Sequence, residues 1–473
     1  MPLSTSQFKT HAQQALTDKT LQQALDKLNQ GFVKKRAQAV KQCDSFDALR
    51  DDCVAMKDHT LDHLDQYLQQ FEEQVIANRG HVHHAADAAQ ACAIATALCE
   101  RYQAKKIIKS KSMLTEEISL NEALEKNGYE VVETDLGEYI IQLRNESPSH
   151  IVVPAMHLLK EQVADTFSKA HSQRDPQRDL STPEALLREA RAELRTKFLS
   201  ADIGITGANA LIAESGTVAI VSNEGNADLT QTLPKTHIVF AGIEKIVPTF
   251  KDASNILRLL ARSATGQEIT SYVTFSTGAK HPDDADGPEN FHIILVDNGR
   301  RAMLGSDFQD MLRCIRCGAC LNHCPVYHSV GGHTYGSMYS GPMGAVMTPS
   351  IFGIENATEL PHASTFCGRC EAVCPMRIPL PDMMRKYREQ AHEQHLTSAV
   401  SRWGIAGWAF LAKRPRLYTM LTSFSLRCLA FFTRRKTMLK HLPLLKGWTQ
   451  HRDFPTPAAR TFQAQWRRRK RDH

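Results

Sequence analysis

The chain has no run of 18 or more apolar residues, because Arg427 interrupts its most apolar stretch, Leu417–Phe432. A membrane-spanning helix is therefore not expected. The first residues, Met1 to Leu21, are polar and lack the apolar core of a secretory leader, so a reducing compartment is expected and disulfides are not. Neither the dinucleotide fingerprint nor the P-loop spacing occurs. No flavin, nicotinamide or haem motif is visible, which argues against hydride chemistry by this chain alone. Acids nearly vanish from the tail: residues 396–473 hold 17 Lys/Arg but only Asp453 and Asp472. The rest has 40 basic and 49 acidic residues, so the net charge of +6 hides a basic tail on a mildly acidic body. With 473 residues, 42% hydrophobic and 23% charged, the composition is that of a globular protein of two or three domains.

What is present is a pair of cysteine motifs. The first reads Cys314-x2-Cys317-x2-Cys320-x3-Cys324-Pro325 and the second Cys367-x2-Cys370-x3-Cys374-Pro375. This is the spacing of a bacterial-type ferredoxin with two iron–sulfur clusters. Three cysteines at two-residue intervals wrap one turn of backbone around three corners of a cubane, and the cysteine before proline crosses to the other cluster. Cluster 1 is then held by Cys314, Cys317, Cys320 and Cys374, and cluster 2 by Cys324, Cys367 and Cys370. The position expected for the missing cysteine is Ser364. Ser364 or water ligates the fourth iron, or that iron is open to a partner or substrate, or the cluster has three irons. Structural zinc also uses paired cysteines, but a four-cysteine run ending in Cys-Pro with a near-repeat is uncommon for zinc. The other cysteines, Cys43, Cys53, Cys92, Cys99 and Cys428, are scattered and read as small apolar side chains.

Four regions are expected. Residues 1–65 are polar and helical, a packing or docking element. Residues 66–300 alternate helical stretches with strand-like runs at Lys106–Lys109, Tyr129–Glu133, Ile151–Pro154, Ile203–Ile205, Val218–Val221, His237–Ala241 and His292–Val296. This predicts an α/β domain with a largely parallel sheet covered on both faces. Residues 301–395 carry the cysteines in a helical ferredoxin domain, and 396–473 form a basic, aromatic-rich tail. Polar segments at strand ends place Lys109 and Lys111 as candidates to cradle a phosphate or carboxylate and Glu116, Glu117 or Glu214 as a candidate acid or base, against the plainer reading of turns, caps and ion pairs. His81-Val-His83-His84 reads as a surface strand rather than a metal site.

Lys109-Ser-Lys-Ser-Met113, Glu133-Thr-Asp-Leu-Gly-Glu-Tyr139, Ile205-Thr-Gly-Ala-Asn209, Glu214-Ser-Gly-Thr217, Asn223-Glu-Gly-Asn226 and Leu233-Pro-Lys-Thr-His237 occur in this order ahead of the cysteines. Together they resemble the lactate utilization protein B family, from about residue 60 through the cysteine motifs and on toward the C-terminus. The resemblance implies a sugar-isomerase/CoA-transferase-like α/β domain (the LUD domain), then a helical ferredoxin domain with two [4Fe–4S] clusters ligated by the seven cysteines named above. It also implies a role, with two other lactate-utilization subunits, in oxidising L-lactate to pyruvate.

Between Cys324 and Cys367 lie 42 residues, more than a minimal ferredoxin needs. The insert holds Gly331-Gly-His333, Tyr335-Gly-Ser337 and Ser340-Gly-Pro-Met-Gly344, which either brings backbone close to a cluster or a partner's cofactor or simply connects. The tail mixes Trp403, Trp408, Phe410 and Phe424 with Arg434-Arg-Lys436 and Arg467-Arg-Arg-Lys-Arg471. It suits an anionic membrane surface near quinones, or an acidic partner subunit; no specific nucleic-acid motif is present. The expectation is a cytosolic or membrane-peripheral electron-transfer subunit. Two rivals remain: an autonomous enzyme using an acyl or phosphorylated substrate in the α/β domain, and the iron–sulfur subunit of a glycolate-type oxidase.

Overall fold

The computed structural model describes residues 4–433, 437–440, 449 and 452–472. They form two compact units, Met1–Glu393 and Gln394–His473.

The first unit is built on a six-stranded parallel sheet. Its strands are β1 (His81–Ala85), β2 (Lys106–Lys109), β3 (Glu130–Glu133), β4 (Ile203–Gly207), β7 (Thr236–Gly242) and β10 (Asn290–Val296), in the order β1-β10-β7-β4-β2-β3. Alternation along the central strands sets the two faces. Ile238, Phe240, Ile294 and Val296 pack with Ala91, Ala95 and Leu98 of helix Ala88–Arg101 and with Leu120 and Leu124. Val239, Ala241, Ile293 and Leu295 pack with Leu64, Leu68, Phe71 and Val75 of helix Leu64–Ala77. Every strand of a parallel sheet needs this double cover. A second, four-stranded sheet runs β8-β5-β6-β9, where β5 is Ala210–Ile212, β6 Thr217–Ser222, β8 Ile246–Val247 and β9 Tyr272–Ser276. Of these, the sequence pattern showed only β6: β5 and β8 are too short to display a period, and β9 is a half-exposed edge strand without an apolar block.

The cysteine region packs as short helices and two longer ones, Gly341–Phe352 and Leu380–Glu393. The N-terminal helices Phe8–Thr17, Lys19–Lys41 and Phe46–Asp62 share its core through Ala15, Leu25, Phe46, Leu49 and Cys53. The same core includes Ala210, Ile212 and Ala219 of the second sheet.

One expected strand is absent. Ile151–Pro154 forms bends and a turn. The N–H groups of Val152 and Val153 donate to Nδ1 of buried His150 at 3.0 and 3.1 Å, and Pro154 has no N–H to give a ladder. His150 Nε2 faces Asn322 Oδ1 at 3.0 Å, which ties this loop to the cysteine region. An Nδ1 that accepts two bonds cannot also carry a proton. Burial, and then the Lys111 charge, hold His150 down to about 3. Unfolded, it would titrate near 6.5, so its stabilisation is full above about pH 6.5 and is lost on acidification, by about 1.4 kcal/mol per pH unit. The urea midpoint is expected to fall between pH 7.5 and 5.5, and less steeply in His150→Gln. Equal slopes would contradict this.

The second unit holds helices Ala399–Ala412, Pro415–Phe432 and Phe462–Asp472 and a two-stranded pairing of Met438–Leu439 with Phe454–Pro455. Trp403 is 79% exposed and Trp408 63%. Arg434-Arg-Lys436 lies outside the described residues, and Arg467 to Lys470 lie on the last helix. No described helix is long and apolar enough to cross a membrane.

Candidate functional site

The two cysteine motifs fold as repeats of one another. Arg316 before Cys317 has φ 58°, and Phe366 before Cys367 has φ 54°. Gly318 and Gly368, the next residues after those cysteines, have φ 73° and 74°, a conformation that favours glycine. Each glycine opens a short helix, Ala319–Asn322 or Arg369–Val373, whose second residue is the next cysteine, Cys320 or Cys370. Cys324 then caps helix Pro325–Val330, and Cys374 ends helix Arg369–Val373 before Pro375. Backbone N–H groups donate to the sulfurs: Ala319 to Cys317, Val326 and Tyr327 to Cys324, Arg369 to Cys367, Met376 and Ile378 to Cys374. Such donors favour thiolate charge. In this repeat Ser364 stands where the first motif has Cys314, three residues before the paired cysteine, and its Oγ accepts from Phe366 N–H at 3.1 Å.

Cys314, Cys317, Cys320 and Cys374 line one small cavity with Ile151, Ile315, Met311, Met343 and Ile378. Cys324 does not line it. Burial, and then the charges of Cys317, Cys314 and Cys374, push the Cys320 thiol well above its ordinary value. Burial also pushes Cys317 up to about 12 and Cys374 to about 11. In the other group, Cys370 is pushed up to about 12 by burial and then by Cys324. Exposed Cys367 is pulled down by the Arg369 N–H. Buried thiols that resist ionisation together fit a group that brings its own positive charge, as an iron–sulfide core does.

Two arginines that the sequence reading passed over flank this cavity. Arg36 Nη2 donates to Val373 O at 2.7 Å, and Arg50 Nη2 to Cys374 O at 2.6 Å. Both lie on N-terminal helices whose apolar spacing signals only packing. Their charges favour the more reduced, more negative state of any cluster held there.

A larger cavity of about 420 Å³ adjoins the first. It lies beyond the C-terminal ends of four neighbouring parallel strands, where open α/β sheets bind ligands. Ser110, Lys111 and Ser112 follow β2, Asp135 and Gly137 follow β3, Gly207 and Asn209 come from the end of β4, and Gly242, Glu244 and Lys245 from the end of β7. Ile315, Arg316 and Tyr339 of the cysteine region close it, and Ile151 and Ile315 are shared with the thiol-lined cavity. Burial pushes Lys245 down to about 8 against the pull of Glu244. At the opposite wall, burial and then Asp135 push Glu224 up to about 7.

Of the candidates named from sequence, only Lys111 reaches this cavity, where its ammonium donates to Val152 O. Lys109 is buried between Glu116 and Glu133, 2.7 Å from each. Glu117 is buried against Arg300, and Glu214 caps helix Phe250–Ala264 through Phe250 N–H at 2.7 Å. The plainer reading of caps and ion pairs holds for these. Lys245, Arg300, Arg316 and Tyr339 went unnoticed. Arg316 had one signal, a long cation inside a cluster loop.

Family models match three segments: LUD domain over 68–296, 4Fe-4S dicluster domain over 310–378, and lactate utilisation protein B, C-terminal, over 369–471. The chain is 44% identical over 464 residues to "Lactate utilization protein B" of Lysinibacillus sphaericus, covering 98% of this chain and 97% of that one. It is 43% identical to the protein of the same name from Bacillus subtilis, covering 98% of this chain and 96% of the relative. Among solved structures, a DUF162 family protein from Deinococcus radiodurans shares 17% identity, 49% coverage of this chain, 98% coverage of its own and a TM-score of 0.26, a likeness too weak to argue from. The α/β domain, the dicluster region and end-to-end relatives at this identity establish that the chain belongs to the lactate utilization protein B family.

Proposed function

We propose that this chain is an electron-transfer subunit in the oxidation of L-lactate to pyruvate, passing electrons from a partner oxidoreductase to an acceptor. The observation that carries this reading is the lining of one apolar cavity by three cysteines of the first motif and Cys374 of the second. That is the crossover by which two cubane clusters are held side by side. Cys314, Cys317, Cys320 and Cys374 would hold [4Fe–4S] cluster 1, and Cys324, Cys367 and Cys370 cluster 2. When bound, the clusters supply one-electron transfer. The lactate assignment rests on the relatives' printed names. Two other lactate-utilization subunits are its partners, the electron-donating oxidoreductase among them, and the basic, aromatic tail docks to an acceptor or an anionic surface.

The fourth ligand of cluster 2 is Ser364, supported by its repeat position and by the Phe366 N–H aimed at its oxygen. Ser364→Cys is expected to leave the iron count unchanged, while the electron paramagnetic resonance signal of cluster 2 moves and its potential rises, because thiolate is a softer donor than alkoxide. A signal identical to wild type would exclude Ser364 as a ligand.

The relay itself is tested anaerobically. Adding L-lactate to this chain together with the two companion subunits is expected to bleach the cluster absorbance. Clusters that stay oxidised while the assembled system turns lactate over would overturn the reading.

A further inference from the structure

The 420 Å³ cavity is lined by two cations without adequate partners. The Lys245 ammonium has no hydrogen-bond or ion-pair partner among the described residues. Arg316 reaches Glu244 only at 3.7 Å, and otherwise has the Met343 sulfur at 3.6 Å and the Tyr339 ring at 4.8 Å. Glu244 cannot serve them better, since its other oxygen is held by buried Arg300 at 2.8 Å. Glu117 is likewise committed to Arg300 and to the Tyr339 hydroxyl. Both also feel the sulfur of Cys314, whose thiolate charge is shared with the cluster it would hold, so neither is fully neutralised on the cavity side, and the open space beside them leaves room for a further anion.

The remaining carboxylates of the wall, Asp135 and Glu224, stand at the other end, on the loops after β3 and β6. Asp135 is itself bound to the N–H groups of Gly137 and Glu138. The cavity thus has one cationic end at the cluster loop, and a mixed end where Lys111, bonded to Val152 O, stands with Ser112, Asn209 and Glu224. Its size suits a small molecule rather than a chain segment.

We infer that this cavity is a binding site for a small carboxylate of the 2-hydroxy- or 2-oxo-acid class, held by Lys245 and Arg316 beside the loop that carries cluster 1. The acid class rests on the proposed function; the anion site rests on the cations alone. Arg316 lies between Cys314 and Cys317, and Ile151 and Ile315 form a wall common to both cavities. A carboxylate there adds negative charge beside cluster 1 and makes its reduction harder. Coupling between two binding equilibria is reciprocal, so the chain binds the acid more tightly with cluster 1 oxidised than with it reduced. An acid would then settle where the relay is ready to take electrons and leave once it is filled.

The test is isothermal titration calorimetry of the anaerobic, cluster-loaded chain with L-lactate, pyruvate and inorganic phosphate, paired with a redox titration of cluster 1 followed by electron paramagnetic resonance. One of the two carboxylates is expected to bind and to lower the cluster 1 potential. Lys245→Gln is expected to weaken binding by about tenfold or more, to abolish the ligand-induced shift, and to leave the iron content unchanged. Lys245→Arg, which keeps the charge, should retain binding. Binding of phosphate alone, of no ligand, or of equal strength in Lys245→Gln would overturn the inference. None of these results touches the relay, which the lactate bleaching experiment tests separately.

Discussion

Replacing Cys374 with alanine is expected to empty the cluster of the first motif, although Cys374 belongs to the second. Its sulfur lines the cavity of Cys314, Cys317 and Cys320, and the backbone N–H groups of Met376 and Ile378 hold it there. Iron should fall from about eight to about four per chain. The signal that survives should match that of Cys317→Ala and differ from that of Cys367→Ala. If the motifs were independent, Cys374→Ala would instead resemble Cys367→Ala, and the crossover would be wrong. The local fold should survive, because the core around Cys374 also rests on Met376, Ile378, Leu380 and Met383.

The second large effect lies in the buried charges between the α/β sheet and the cysteine region. Arg300 is 1% exposed. Its Nη1 and Nη2 donate to the two oxygens of Glu117 and its Nε to Glu244, each at 2.8 Å. Tyr339, from the insert between the motifs, donates to Glu117 at 2.5 Å. Arg300→Met keeps the volume but leaves two buried carboxylates without their cation. Breaking one side of such an arrangement costs about 3–5 kcal/mol. The urea midpoint should drop accordingly, and iron retention with it, since Glu117 and Glu244, the partners of Tyr339 and Arg316 in the cysteine region, are left without their buried cation. An unchanged midpoint would show that the carboxylates take up protons without penalty.

These two sites differ in how far the sequence reveals them. The cysteine spacing expresses a local geometric demand, so the seven cysteines proposed as ligands, and the gap at Ser364, are legible in the sequence alone. The parallel sheet was equally legible where strands such as His237–Ala241 and His292–Val296 are long apolar runs bounded by polar turns. Ile151–Pro154 misled because its apolar character serves a cavity wall, and its backbone bonds go to His150. Lys245 and Arg316 were hidden for another reason. A cation's role depends on which anions remain uncommitted around it, and Glu244, Arg300 and Arg316 meet only in the folded chain. The N-terminal helices gave a packing signal and do pack, but nothing in their spacing announces that Arg36 and Arg50 reach the backbone beside Cys374. The insert after Cys324 does more than connect: it brings the buried helix Gly341–Phe352, with Met343 lining the cavity of the thiols.

The central claim is that this chain carries two iron–sulfur clusters that accept electrons. The most direct test is iron and acid-labile sulfide content on anaerobically purified protein, with electron paramagnetic resonance before and after dithionite. The expected result is about eight irons and eight sulfides per chain, silent as oxidised and showing two interacting signals when reduced. Zinc without sulfide, or iron that dithionite does not reduce, would contradict it.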